Sequence, residues 1–213
     1  MRRYGVLGSG DVGQVLAEGL QKEGYEVRIG SRSPAKLEDF TRKTGIGAGT
    51  FAETAAWAEA IVLAVNGLGA RDALQMAGPA NLDGKLVIDV TNPIDDQEPV
   101  DGVIHVFTGP NESLMEQLQT AFHGARFVKA FNSVGSARMV HPKLAGGRPT
   151  MFYCGNDDSA KAEVARLLEQ LGWEPADMGK ATAARAIESL AMLWCIPGFL
   201  RDHWTHAFKV VWD

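Results

Sequence analysis

Three glycines in the stretch VLGSGDVG, at Gly8, Gly10 and Gly13, stand directly after an apolar run and directly before a helical pattern. Between a strand and a helix, that spacing allows a tight turn at the first glycine and close approach of a pyrophosphate at the second. The third lets the helix pack closely on the strand. Free amides and the positive end of the helix dipole then face the phosphates. The bare spacing says little by itself, but a second strand within about thirty residues supplies the context the motif needs. The competing interpretation is a glycine-rich turn with no ligand. Asp11 is expected in the first helical turn, pointing away from the anion and favouring the dipole.

In such a motif an acidic residue about twenty positions further on accepts from the ribose 2′-hydroxyl of NAD. Here that count arrives at VRIGSRSPAK, which holds no acid. Arg32 attracts a 2′-phosphate where a carboxylate would repel it. Ser31 and Ser33 add hydroxyl donors, and Lys36, expected in the first turn of the next helix, adds a second charge. These residue types point to NADP(H). The bland alternative is a solvated loop whose charges happen to follow a strand.

No catalytic acid–base constellation and no metal-binding set stands out. Hydride transfer between two flat heterocycles needs alignment more than a protein acid. His203 and His206 are three apart on what reads as a helix, with only Asp202 to complete a metal site, so a surface or interface role is expected. His105 and His141 read as loop residues. Glu188, an acid amid apolar neighbours in AIESLAMLW, is expected to pair with Arg185, the alternative being contact with substrate. Cys154 and Cys195 are too few for a disulfide framework, and Cys154 reads as a buried thiol.

The elements that must position these groups alternate along the chain. Strands are expected at Arg3–Leu7, Glu26–Gly30, Ala60–Val65, Lys85–Val90 and Arg126–Phe131, with a weaker one at Gly47–Phe51. Helices are expected at Val12–Glu23, Ala35–Lys43, Ala52–Ala58, Gly69–Ala77 and Ser113–Phe122. Thr50 to Glu53 reads as a capping box. RPTMFYCGN and WEPADMG look like two further strands around a helix at Asp158–Leu171, and the chain after Gly179 reads as helical, aromatic-rich and interrupted at CIPGF. Strands rich in Val, Ile and Ala look buried on both faces. The pattern implies an α/β, Rossmann-like, doubly wound and mostly parallel sheet of about eight strands with a short helical C-terminal segment.

The chain has 213 residues, 46% of them apolar, and a formal charge of -5. This composition argues against nucleic-acid or anionic-membrane binding. No uninterrupted apolar run approaches the roughly 20 residues of a membrane helix. The early strand leaves no room for a signal peptide, so a cytoplasmic location is expected.

Together, GVLGSGDVG, GSRSPAKL, AIVLAV, VIDVTNP, VKAFNSVG and the region near SLAMLW resemble the F420-dependent NADP reductase family. Its members are Rossmann-type proteins that pass hydride between NADPH and a deazaflavin, and the NADPH-using domains of the Steap proteins are relatives. The resemblance implies that Ser9, Gly10, Asp11 and Val12 lie under the pyrophosphate. By the same resemblance Ser31, Arg32 and Lys36 hold the 2′-phosphate, and Val65 and Asn66 border the nicotinamide ribose. Asn92 and Pro93, with Ala130 to Gly135 and Asn132 among them, line the nicotinamide end. Asn66 stands where deazaflavin-dependent members tend to carry Pro. The expected cofactor is NADP(H), with F420 or a flavin as small-molecule acceptor. Met192, Trp194, Phe199, Trp204 and Phe208 are candidates for an apolar acceptor pocket, core or a subunit contact, and Gly135 for close approach to a ring.

The expected organisation is a dinucleotide-binding domain at 1–178 and a helical segment at 179–213 that covers the acceptor site or forms a homodimer interface. Two other functions remain in competition: a reductase of another small substrate, such as an imine or β-hydroxyacid, and a non-catalytic NADPH-sensing binding protein.

Overall fold

The computed structural model describes residues 2–213. The first half alternates strand and helix: β1 (Arg3–Leu7), α1 (Asp11–Lys22), β2 (Glu26–Gly30), α2 (Glu38–Thr44), β3 (Gly47–Gly49), α3 (Phe51–Trp57), β4 (Ala60–Leu63), α4 (Ala70–Ala77) and β5 (Leu86–Asp89). There follow α5 (Leu114–Ala121), β6 (Arg126–Lys129), β7 (Thr150–Gly155), α6 (Asp158–Gln170), β8 (Glu174–Asp177) and α7 (Ala184–Arg201). The eight strands form one sheet in the order β3-β2-β1-β4-β5-β6-β7-β8. Every neighbouring pair is parallel except β6 and β7. This is the expected doubly wound sheet, and its strand order reverses between β1 and β4, where ligands bind beyond the carboxyl ends of the strands.

Both faces of the sheet are covered, which is why β4 and β5 are apolar at almost every position rather than alternating. One apolar layer gathers Leu16 and Leu20 of α1, Phe40 of α2 and Val164 and Leu168 of α6 against the sheet. The other gathers Ala55 of α3, Leu74 of α4, Leu118 of α5 and Ala184 and Ile187 of α7. Thr50 and Glu53 form the expected capping box at the start of α3.

Two expectations fail locally. The segment after β2 begins as a 3-10 turn at Pro34–Leu37, so Lys36 lies in that turn and not in an α-helix. At the C-terminal end, α7 runs unbroken through Pro197 and stops at Arg201, with Asp202 in the left-handed region at φ 51. Residues 202–213 form no helix. They run beside β7, where the Thr150 amide donates to the Phe208 carbonyl at 2.9 Å and the Val210 amide donates to Thr150 Oγ1 at 2.9 Å. Proline removes one helical hydrogen bond, but neighbouring Gly198 packs directly under the Trp204 ring, which returns across the helix. That packing outweighs the local breaker.

Counted with the turn before it, Ala181–Arg201 is long and apolar enough to cross a membrane by length and composition. Its inner face nonetheless carries buried Glu188, ion-paired to Lys129 of β6.

Candidate functional site

The turn after β1 is shaped by backbone crowding. Gly8 adopts φ +136, and a Cβ there would lie 2.1 Å from the Ala64 carbonyl oxygen. A Cβ on Gly13 would meet the Gly8 carbonyl oxygen at 2.0 Å. Only glycine lets β1, β4 and α1 come this close. Gly10 differs: nothing lies within 4 Å of where its Cβ would stand. Its missing side chain leaves open space at the start of α1, facing a cavity.

That cavity, of about 520 Å³, is lined by Gly8, Ser9, Gly10, Ser31, Arg32, Ser33, Lys36, Phe51, Ala64, Val65 and Asn66. Its lining holds two cations and no carboxylate. Ser31 is buried, its Oγ 3.2 Å from Ser9 Oγ, and it accepts from the Ser33 amide at 3.1 Å. Arg32, Ser33 and Lys36 are exposed at the rim. Phe51, expected to end the strand begun at Gly47, instead opens α3 and belongs to this lining, a role the sequence did not assign to it. The pairing of β3 with β2 brings it beside the rim.

A second cavity of about 420 Å³ continues inward through the shared Gly10, Ala64, Val65 and Asn66. It adds Asp11, Val12, Gly67, Val90, Thr91, Asn92, Ile94 and Ser136. The groove thus crosses the end of the sheet from the cationic rim to the ends of β4 and β5. Asp11 stands in the first turn of α1 as expected, exposed, but it borders this inner cavity. Ser136, which directly follows the FNSVG stretch, was not among the expected residues.

The asparagines expected at the far end bind each other. Asn92 Nδ2 donates to the Asn132 carbonyl at 2.7 Å, and Asn132 Nδ2 donates to Asn92 Oδ1 at 3.0 Å and to the Ile187 carbonyl at 2.8 Å. Both donors of Asn132 are therefore consumed within the protein, and its buried Oδ1 takes no donor from it. Ala130 and Ser133 are buried, and Pro93 lines neither of these cavities. Pro93 instead borders a separate cavity of about 280 Å³ with Val106, Thr108, Glu112, Arg185 and Met192 among its lining.

The C-terminal aromatics serve packing. Trp194 lies against Gly135, where a Cβ would meet its ring at 2.9 Å. The ring that Gly135 admits is thus the protein's own. Trp194 stacks on His206 at 5.0 Å between centroids, and Phe199 meets Trp204 edge-on at 5.1 Å. His203 and His206 share no helix, and no cluster of metal-ligating side chains occurs among the described residues.

Glu188 departs from its expected partner. Arg185 instead holds Glu116 of α5 in a two-pronged pair at 2.8 and 2.9 Å. Glu188 pairs with Lys129 at 2.8 Å and accepts from the Leu114 and Met115 amides. Cys154 is buried as expected, and burial pushes its thiol up to about 12.

The groove fits a dinucleotide carrying a 2′-phosphate: a Cβ-free cradle at Gly10, a rim of hydroxyls and cations without an acid, and continuity to the ends of the inner strands. The family model for the NADP oxidoreductase, coenzyme F420-dependent, matches residues 3–93. A solved structure from Arthrobacter sp. FB24, provisionally assigned as an F420-dependent NADP reductase, is 35% identical, with a TM-score of 0.93 and 100% of each chain covered. The metalloreductase STEAP3 of Rattus norvegicus is 29% identical over 93% of this chain, and STEAP2 of Homo sapiens 30% over 88%. The chain spans 39% and 35% of the length of those two curated relatives. With one full-length relative above 30% identity and the family model covering the glycine turn and the cationic rim, this chain belongs to the F420-dependent NADP reductase family of NADP-dependent oxidoreductases.

Proposed function

We propose that this protein reduces a deazaflavin or flavin-like acceptor with NADPH, and that the residues committed to NADPH are those of the two-part groove. The observation that carries this reading is the outer cavity, whose lining combines Ser31, Arg32, Ser33 and Lys36 with no carboxylate. Gly8, Ser9, Gly10, Asp11, Val12 and Gly13 form the turn and helix start that face the pyrophosphate through backbone amides. Arg32 and Lys36 select the 2′-phosphate by charge, and Ser31 and Ser33 by hydrogen bonding. Val65 and Asn66 form the middle of the groove, and Thr91 and Asn92 its inner end. Bound there, NADPH supplies a hydride. The protein aligns and excludes water, and no side chain is required to move a proton.

The cavity beside Pro93 is the candidate acceptor pocket. Its exposed surface is mostly apolar, with Glu112, Arg185 and Ser189 as polar anchors. The outer face of α7 exposes Leu193, Phe199 and Leu200, which supports a homodimer. The similarity to metalloreductases favours one second reading, in which the reduced flavin passes electrons to a metal chelate.

The test is to follow NADPH oxidation by the purified protein with F420, FMN, FAD or a ferric chelate as sole acceptor. Turnover with F420 or a flavin supports the proposal, and turnover requiring both a flavin and ferric chelate supports the second reading. NADPH binding without oxidation by any of them would leave a sensor in its place.

A further inference from the structure

At the inner end of the groove, three charged side chains are sealed from solvent. Lys129 ends β6 and Asp89 ends β5, paired in register. Glu188 comes from α7. Lys129 and Asp89 are 0% exposed and Glu188 is 2% exposed. Lys129 Nζ has three partners: Asp89 Oδ2 at 2.7 Å, Glu188 Oε1 at 2.8 Å and the Thr91 carbonyl at 2.8 Å. It donates a hydrogen bond to the Thr91 carbonyl and is ion-paired to both carboxylates. Asp89 Oδ1 accepts from the Thr91 amide at 2.9 Å and the Thr91 hydroxyl at 2.7 Å. Glu188 accepts from the Leu114 amide at 2.8 Å and the Met115 amide at 3.0 Å, so the first turn of α5 balances the surplus carboxylate.

Stability alone does not account for this arrangement. Apolar side chains of similar size in place of a buried ion cluster are often neutral or stabilising. Elsewhere the space between the sheet and α7 is filled with Ala184, Ile187 and Ala191. What the charges achieve is position. Thr91 is held at its carbonyl, amide and hydroxyl by two charged groups. The next residue, Asn92, is locked to Asn132, which donates in turn to Ile187 of α7. Gly67 on the opposite wall packs so tightly that a Cβ there would meet the Asn92 carbonyl oxygen at 1.9 Å. A displacement of Thr91–Asn92 would therefore be felt on both sides of the inner cavity.

We propose that Lys129, with Asp89 and Glu188, is a positioning residue that holds the Thr91–Asn92 turn and thereby sets the nicotinamide half of the groove, without touching the ligand. This rests on the reading of the groove as an NADP(H) site. The ammonium stays charged there: burial alone would lower it, but Asp89 and Glu188 outweigh burial and hold it above the ordinary lysine range. Because α7 also borders the candidate acceptor pocket through Glu188 and Met192, one cluster ties the two reacting sites to one frame.

The test separates the two halves of the ligand. Adenosine 2′,5′-bisphosphate reports on the outer cavity alone, and NADP+ reports on the whole groove. Lys129→Met leaves two carboxylates facing each other, so a second, charge-balanced variant carries Lys129→Met, Asp89→Asn and Glu188→Gln together. Folding is checked by circular dichroism, binding by calorimetry, and hydride transfer by single turnover with the acceptor that the wild type uses. The expected result is bisphosphate affinity within about twofold of wild type, NADP+ affinity weaker by about tenfold, and hydride transfer slower by about 100-fold, the scale of a misplacement near 1 Å. A folded variant with unchanged NADP+ affinity and rate overturns the proposal. So does a parallel fall in both affinities, which marks a general loss of structure. A wild type that binds NADP+ no better than the bisphosphate denies the inner cavity a nicotinamide, and one that binds neither removes the reading beneath.

Discussion

Gly8 and Gly10 belong to one motif and obey opposite constraints. An alanine at Gly8 would take an unfavourable φ of +136 and drive its Cβ into the Ala64 backbone. Gly8→Ala should therefore lose at least about 1–2 kcal/mol of stability, read by denaturant unfolding. Gly10→Ala meets no protein atom within 4 Å, so its melting temperature should match wild type. Its NADPH affinity should fall by about tenfold, or about 1.4 kcal/mol, because the methyl occupies space meant for the ligand. Arg32 lies exposed at the rim, which lowers the expected contribution below that of a desolvated pair. Arg32→Asp should weaken NADPH by about 1.5–3 kcal/mol while NADH holds or improves, measured by equilibrium titration of both. Cys154, with its thiol held near 12 by burial, should resist alkylation at pH 8 until the protein unfolds, as mass spectrometry would show. The glycines and the Arg32 region were legible in the sequence because each chemistry is set by a local turn. The role of Phe51 was not, since it reaches the groove only through the pairing of β3 with β2, and Ser136 lies one residue past the FNSVG stretch that was.

At the scale of elements, the joint between α5 and α7 carries a testable pH dependence. Arg185 grips Glu116 with both prongs, and Ser113 Oγ lies 2.7 Å from the same carboxylate. The Arg185 hydrogen bond, then that of Ser113, holds the Glu116 carboxyl below its ordinary 4.5. A depressed carboxyl contributes stability above its unfolded value and loses it as pH falls through its folded value. Stability should thus drop as the solution is acidified below about 4.5, and Glu116→Gln should flatten that drop while lowering stability at neutral pH. Denaturant unfolding across the acid range decides it. Strand and helix placement was largely readable, because apolar runs of four to six residues between helical patterns leave few alternatives. The pairing of Glu188 was not. Arg185 lies three residues away on the same helix, which made it the natural local partner. The distant Lys129 and the amides of α5 won, because a buried carboxylate needs several donors at once.

For the molecule as a whole, residues 202–213 act as a strap along β7 and over α7. Trp204 is half-buried against Gly198 and Phe199. Trp204→Ala should cost about 2 kcal/mol, part of the figure for a fully buried tryptophan. It should leave NADPH binding unchanged, since no residue of 202–213 borders either groove cavity. Thermal unfolding and an NADPH titration of the same variant test both halves of that statement. By itself, the sequence determined the doubly wound architecture, the glycine turn and the preference for a phosphorylated ribose. Those depend on periodicity, on turns and on the charge of residues close together in the chain. Only the tertiary structure decided that the C-terminal aromatics pack on Gly135 and Gly198, that the helix survives Pro197, and that Lys129 meets Asp89 and Glu188 beneath the groove. Those at Gly135 and Lys129 join segments dozens of residues apart, and those at Gly198 and Pro197 set a local preference against tertiary packing, a balance struck only when the whole core closes.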